Sequence, residues 1–478
     1  MEHKTPPKVT SSRAETSFIA SLTARLLSGG AWAFGGKAAA VLLLLISNAL
    51  LARLLSPQDM GAYFLAFSLV LFGLQVGALG LDKGVVRLIA ANIGLNQPKQ
   101  VRRVVSVAVR LGVLGALGVG FAYLLFGEVL AQDLFNMPAL GGVTGLVAVW
   151  IAVMSLQTLL AEILRGFYDI RSATLFSGLV GGALLTVCLA LLWWFEGPAT
   201  LSTVMLLAVA SNSVGVLMAG WILLHKVRLL PLQGTESPIR VREVLRVSWP
   251  MFVAGLTFFV LNQSGLWVTS AFRPPEEVAL YGAASRAVTV IPMTLLVASQ
   301  VVQPFVADLY AQGKKLELER MLRAVATFVG IPALFVAAGF TLLGGPILGL
   351  VFGSYYQEGA TALALLSIGT FVWVWVGASY LTLLMTRHEV LGMAITIASG
   401  ILTIIAQLLI VDRYGADGVA AAQCAGIGLQ GIAGWLAVRG RIGVWTHAGL
   451  VGLSDLLTAL SNSIRYVHRY IHDRRRRH

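Results

Sequence analysis

Apolar runs of about twenty residues recur from one end of the 478-residue chain to the other, separated by short stretches of turn-forming or charged residues. As a helix rising 1.5 Å per residue, a run of about twenty crosses a hydrocarbon core of roughly 30 Å. The pattern predicts twelve membrane helices, near 29–52, 60–81, 103–126, 140–163, 174–195, 200–224, 247–270, 279–306, 321–345, 357–385, 388–411 and 416–438. Turn signals mark one set of breaks: Ser56-Pro57, Asn136-Met137-Pro138, Glu196-Gly197-Pro198, Arg273-Pro274-Pro275, Gly344-Gly345-Pro346 and Tyr414-Gly415. The breaks between these are rich in Lys and Arg.

Charge turns this alternation into an orientation. Under a cytoplasmic N-terminus, 30 of the 35 Lys and Arg fall in cytoplasmic segments or helix ends, and only Arg53, Arg273 and Arg413 fall outside. Both termini are therefore expected in the cytoplasm. Residues 442–464 are mostly apolar but carry His447 and Asp455, and a further crossing would export Arg474 to Arg477. They read as an interfacial helix leading to a basic tail that meets anionic lipids.

The repeat supplies the domain organisation. Pro57-Gln58-Asp59-Met60-Gly61-Ala62-Tyr63 is echoed 218 residues later by Pro275-Glu276-Glu277-Val278-Ala279-Leu280-Tyr281. Leu164…Asp169-Ile170 is echoed by Leu384…Glu389-Val390 at an offset of 220. The chain divides into a tail (1–28), a first lobe of six helices (29–225), a linker (226–246), a second lobe of six helices (247–438) and a basic C-terminal segment (439–478). Six crossings per lobe give both lobes one orientation, with a pseudo-twofold axis along the membrane normal. Two such lobes suit alternating access; a large duplicated scaffold is the plainer alternative.

Composition agrees: 57% of residues are hydrophobic and 12% charged, against about 25% charged in soluble domains, which excludes an ordinary soluble enzyme. The net charge of +13 lies at membrane surfaces, so no nucleic-acid partner is expected. Cys188 and Cys424 sit in apolar runs of opposite halves and make neither a disulfide framework nor a cysteine metal site. His468 and His472 have helical metal spacing but lie among arginines, so no metal is expected. The chain holds no Gly-rich nucleotide loop and no zinc-protease helix, and no cofactor is expected.

The segment Ala52-Arg53-Leu54-Leu55-Ser56-Pro57-Gln58-Asp59-Met60-Gly61-Ala62-Tyr63, with Gly80-Leu81-Asp82-Lys83-Gly84-Val85-Val86-Arg87, resembles the polysaccharide transporters of the multidrug/oligosaccharidyl-lipid/polysaccharide (MOP) flippase superfamily. These are the O-antigen and exopolysaccharide-unit flippases. The resemblance implies an all-α, V-shaped, two-lobed membrane fold that moves an undecaprenyl-diphosphate-linked oligosaccharide to the outer leaflet of a bacterial inner membrane. A polysaccharide polymerase and a chain-length regulator are the partners it implies. The superfamily's lipid II flippases carry two further helices, whereas its multidrug antiporters share the count of twelve.

A charge held in mid-membrane is expensive, so it marks either water or substrate. Lys37 and Arg286 lie within spans, and both are cationic, as an anionic diphosphate would require; snorkelling to an interface is the competing reading. Asn48 falls on the Lys37 face eleven residues on, and Arg53 closes the same helix, so these four residues form the candidate diphosphate site. Asp82, Lys83, Arg87 and Arg165 are candidates for a cytoplasmic vestibule, although Glu162 and Arg165 have the spacing of a self-neutralising pair. Asn262, Gln263, Gln300 and Gln303 are candidate sugar contacts, or glue between helices. Asp82, Glu162 and Asp308 are the carboxylates available for ion coupling. Pro292 and Pro304 should kink the eighth helix. The rival readings are a cation-coupled drug exporter, which needs acidic cavity residues, and a membrane glycosyltransferase or polymerase, which needs catalytic carboxylates in large loops.

Overall fold

The computed structural model describes residues 35–449 except 37, 79, 196 and 232–240. Its helices are α1 (Ala38–Leu54), α2 (Pro57–Ala78), α3 (Leu81–Gly94), α4 (Pro98–Val129), α5 (Pro138–Gly141), α6 (Thr144–Gly166), α7 (Ile170–Thr174), α8 (Val180–Phe195), α9 (Leu201–Arg228), α10 (Val241–Phe272), α11 (Pro275–Val288), α12 (Val290–Ala311), α13 (Lys315–Phe352), α14 (Ala360–Trp375), α15 (Ser379–Met385) and α16 (Glu389–Ile442). The N-terminal tail, the middle of the linker and the segment from 450 onward lie outside the described residues.

The proline signals act as local chemistry requires. Pro57, Pro98, Pro138 and Pro275 each open a helix, where a missing N–H breaks no intrahelical bond. Pro292 divides the eighth span: its ring excludes the carbonyl four residues back, and α11 ends at that residue, Val288. At Gly344-Gly345-Pro346 the expected end of the ninth span needs correction, because α13 runs on to Phe352. Leu343 instead leaves helical geometry (φ −120°, ψ 21°), which absorbs the clash of the Pro346 ring without ending the helix.

Nine helices among the described residues are long and apolar enough to cross a membrane. The last of them, α16, has 54 residues and as a straight rod would measure about 80 Å, far beyond a bilayer. It doubles back at Gly415, whose φ of 56° and ψ of −145° suit a residue without Cβ. Gln407 Nε2 then donates to Gln423 Oε1 at 2.6 Å and Gln430 Nε2 to Thr396 Oγ1 at 3.1 Å, so the two halves run antiparallel. The described part of α1 is 17 residues long, and α10 completes the second lobe's share.

Hydrophobic burial is divided unequally between the two ends of the molecule. At the end bearing Pro57 and Pro275, the proline end, one core joins both lobes: Met60, Phe64 and Leu65 of α2 pack in the same cluster as Val278, Tyr281 and Ala284 of α11. At the Lys- and Arg-rich end, the basic end, each lobe has its own cluster among the described residues, and α3 also touches α10 of the second lobe. Leu81, Val85 and Ile89 of α3 pack with Val104 and Ile163, whereas Val302 and Val306 of α12 pack with Leu318 and Leu383. Lobes that share a core at one end and separate cores at the other form a V.

Candidate functional site

The apex of the V is built from positions that the repeat makes equivalent. Gln58 Nε2 donates to Glu276 Oε1 at 2.6 Å, and these two residues are 218 apart, the offset of the repeat. Gly282 lies against the Phe64 ring at the same offset, so closely that a Cβ at 282 would collide with it. When a residue touches its own equivalent, the contact lies on the twofold axis. The axis therefore runs between α2 and α11. Gly61, whose missing side chain admits the Pro275 carbonyl, brings the two backbones together there. Arg53 adds a tether, donating from Nη2 to the Leu350 carbonyl at the C-terminal end of α13 at 2.9 Å.

Arg286 sits one and a half turns below this closure, near the C-terminus of α11. It reaches across to the first lobe, where its guanidinium carbon stands 4.9 Å from the Phe67 ring centroid and 5.9 Å from that of Phe64. Tyr63 stacks on Phe67 at 6.3 Å, and Trp150 of α6 tilts against both at 6.0 and 5.5 Å. The π faces hold the cation without neutralising it. Among the described residues no carboxylate lies within ion-pair distance of Arg286, so its N–H edge is free to meet an anion in the bidentate manner of a guanidinium.

Beside it, Trp267 of α10 donates from Nε1 to Ser68 Oγ at 2.9 Å, and Ser68 donates in turn to the Leu65 carbonyl. Phe72 and Phe259 pack on the Trp267 ring. The result is an aromatic patch on both lobes with one arginine in its midst.

The structure distributes the other sequence candidates widely. Lys37 lies outside the described residues. Asn48 is buried and spends its amide on the Leu44 carbonyl of its own helix at 2.7 Å. Asp82 and Lys83 occupy the first turn of α3, with side chains outside the described residues, and Arg87 is exposed. Glu162 and Arg165 form the expected i,i+3 ion pair at the basic end of α6. Asn262 is drawn to a seam between α10 and the α16 hairpin, beside Thr396, Ser399 and Thr403, away from the axis. Gln263 is half-buried, Gln303 and Asp308 are exposed, and the Gln300 side chain lies outside the described residues. Arg286 is thus the one sequence candidate seen at the axis. The aromatic platform was missed, although the repeat held a signal: Arg286 is the 218-residue equivalent of Ser68, on the same turns as Phe64 and Phe67.

No curated protein matches the chain in sequence. Its fold is similar to that of an inward-facing multidrug resistance MATE family transporter of the MOP superfamily, with a TM-score of 0.71 at 18% identity, covering 84% of this chain and 94% of that one. It is also similar to the lipid II flippase MurJ in an inward closed conformation, with a TM-score of 0.68 at 14% identity over 89% and 90% of the two chains. A MATE transporter in its outward-facing conformation gives 0.58 at 17% identity over 88% and 95%. The two-lobed helical V is therefore a MOP superfamily fold. In sequence, the family described as polysaccharide biosynthesis protein matches residues 26–310, more than half of the chain, and the chain belongs to that family.

Proposed function

We propose that this protein is a flippase that carries an undecaprenyl-diphosphate-linked oligosaccharide from the inner to the outer leaflet of a bacterial inner membrane. The basic end is cytoplasmic in this reading, and the structure is the state that faces the cytoplasm. One observation carries it: a cation without a carboxylate partner among the described residues, on aromatic faces beneath the closed apex. A diphosphate supplies the missing anion, and aromatic faces suit sugar rings and the isoprenoid end alike. Membership of a polysaccharide biosynthesis family and the fold of a lipid II flippase support the same class of cargo. A transporter is also favoured over a glycosyltransferase, since solved structures that share the fold are a multidrug transporter and a lipid II flippase.

A cation-coupled drug exporter is the second reading, because the fold is shared with multidrug transporters. The sign of Arg286 argues against cationic drugs, which it would repel. The cargo decides between the two. Purified protein in liposomes is expected to expose a labelled undecaprenyl-diphosphate oligosaccharide to an external glycosidase, and Arg286→Gln should abolish the exposure. Extrusion of a cationic dye at rates independent of residue 286, with no movement of the sugar lipid, would overturn the proposal. Interaction with a polymerase and a chain-length regulator would follow from an O-antigen or exopolysaccharide cargo.

A further inference from the structure

After α16 the chain does not leave the molecule at once. It turns at Gly443 (φ 86°) and crosses beneath α13 and α14 as a strap of residues 443–449. The strap is pinned along its length. Trp445 N–H donates to Glu319 Oε2 at 3.2 Å, Thr446 Oγ1 to the Val376 carbonyl at 2.6 Å, Ala448 N–H to the Trp375 carbonyl at 2.9 Å and Gly449 N–H to Thr327 Oγ1 at 3.1 Å. Trp445 packs on Trp435, and His447 packs on both of them and on Trp375. Burial, with Arg323 nearby and Glu319 opposing, pushes the His447 imidazolium below its ordinary value, and its Nδ1 accepts from Trp435 Nε1 at 3.2 Å.

Above the strap lies a groove of about 400 Å³, within the range of small-ligand sites. Gly330, Ile331 and Leu334 of α13 wall one side, Phe371 and Trp375 of α14 the other, and Gly449 lies at its floor. Ile331 is 40% exposed, Leu334 49% and Trp375 37%, so the groove opens on the face that an apolar bundle turns to lipid. Its lining is almost wholly apolar, yet its basic end carries charge. Arg323 stands one turn below Thr327, and a Cβ at Gly449 would lie 3.3 Å from its Nη2. The nearest acid, Glu319, is 3.7 Å away and is shared with the strap backbone, and Arg323 Nε is buried with no acceptor among the described residues. Arg439, 4.7 Å from the Trp445 ring centroid, holds the start of the strap by donating to the Gly443 carbonyl at 2.6 Å.

An apolar slot that opens to the membrane, with a guanidinium at its interfacial end that is loosely paired with Glu319 and has no acceptor for its Nε among the described residues, matches one chemistry. We propose that this groove is a binding site for an anionic glycerophospholipid of the inner leaflet, with one acyl chain between α13 and α14 and the phosphate on Arg323. The charge complementarity selects the anionic lipid over a neutral one, and the strap fixes the depth of the headgroup. This lipid would brace the second lobe from outside and does not depend on what the transporter carries.

Native mass spectrometry of the full-length protein in detergent, titrated with phosphatidylglycerol or phosphatidylcholine, tests the proposal. The wild type is expected to keep one phosphatidylglycerol at activation energies that strip phosphatidylcholine. Arg323→Gln should weaken phosphatidylglycerol binding about tenfold, or about 1.4 kcal/mol, without changing that of phosphatidylcholine. Arg323→Lys should retain most of the preference, which separates lost charge from lost folding. Leu334→Trp, which fills the slot, should reduce both lipids. Equal retention of the two lipids by the wild type, or an unchanged preference in Arg323→Gln, would overturn the proposal. So would a ready disulfide in membranes between cysteines placed at 334 and 453, with Cys188 and Cys424 replaced, because the chain's own C-terminal segment would then fill the groove.

Discussion

The second span of the first lobe, α2 with α3, and its repeat in the second lobe, α11 with α12, begin alike and end differently. Their first turns meet on the axis through Gln58 and Glu276, and each contributes a buried tyrosine, Tyr63 and Tyr281. A turn and a half farther on, the first lobe has Ser68, which accepts from Trp267, where the second has Arg286. Below that point α3 packs within the first lobe and against α10, whereas α12 packs on α13, α14 and α15. Symmetry thus builds the closure, where two equivalent surfaces must fit each other. In the proposed function asymmetry builds the site, because a substrate with one charged end needs its cation once. Two arginines at equivalent positions on the axis would face each other and repel.

The largest test of this comparison moves the charge. Arg286→Gln is expected to reduce flipping by at least about tenfold, since a charge-assisted contact is worth roughly 1.5–3 kcal/mol. Ser68→Arg combined with Arg286→Ser should recover less than a tenth of wild-type flipping, because Trp267 then loses its acceptor. Full recovery in the reconstituted assay would make the lobes interchangeable and remove the asymmetry argument.

Gly282→Leu attacks the shared closure instead. Overpacking against Phe64 costs about 1–3 kcal/mol, enough to shift the balance toward an open proline end by roughly five- to 150-fold. Spin labels at residues 134 and 350 should then report a longer distance by pulsed electron resonance. An unchanged distance distribution would mean that the axis contact does not hold the closed state. Gln58→Ala and Arg53→Ala remove exposed contacts of about 0–1 kcal/mol each, so the same measurement should move by no more than about fivefold.

The smallest effect concerns the second echo of the repeat. Asp169 caps α7 through Ser172 N–H and pairs with Lys226 at 2.9 Å, while Glu389 makes no ion pair among the described residues. Burial opposes ionisation of Asp169, but the hydrogen bonds from Lys226 and Ser172 outweigh it and hold the carboxyl below its ordinary value. A carboxyl so lowered contributes stability above its unfolded pKa and loses it as pH falls through the folded value. Asp169→Asn should therefore lower the midpoint of thermal unfolding slightly at pH 6, consistent with about 0.5–1 kcal/mol for a half-buried pair, and the gap should close as pH falls below about 4. Glu389→Gln should change nothing over the same range.

Much of the molecule was legible in the sequence, because membrane helices obey a rule with few exceptions. Backbone groups in lipid must be satisfied within their own segment, so each apolar run of sufficient length is a helix and each Ser-Pro or Pro-Pro junction is an end. The rule failed at Pro346, where one residue out of helical geometry, Leu343, was enough to keep α13 continuous. The candidate site was less legible. Arg286 stood out as a charge within an apolar run, but Phe64, Phe67, Trp150 and Trp267 looked like any other membrane aromatics.

Charge placement and period determined, from sequence alone, that the chain is a two-lobed helical membrane protein with an internal repeat, because both report local free energies of transfer that no distant contact can reverse. Only the tertiary structure decided that equivalent turns of the repeat meet on the axis, that α16 folds into a hairpin at Gly415, and that the segment after it straps α13 to α14. Each depends on which surfaces close on one another across the bundle. In a uniformly apolar sequence that choice is made by shape, small residues and single hydrogen bonds, and hydropathy does not encode it.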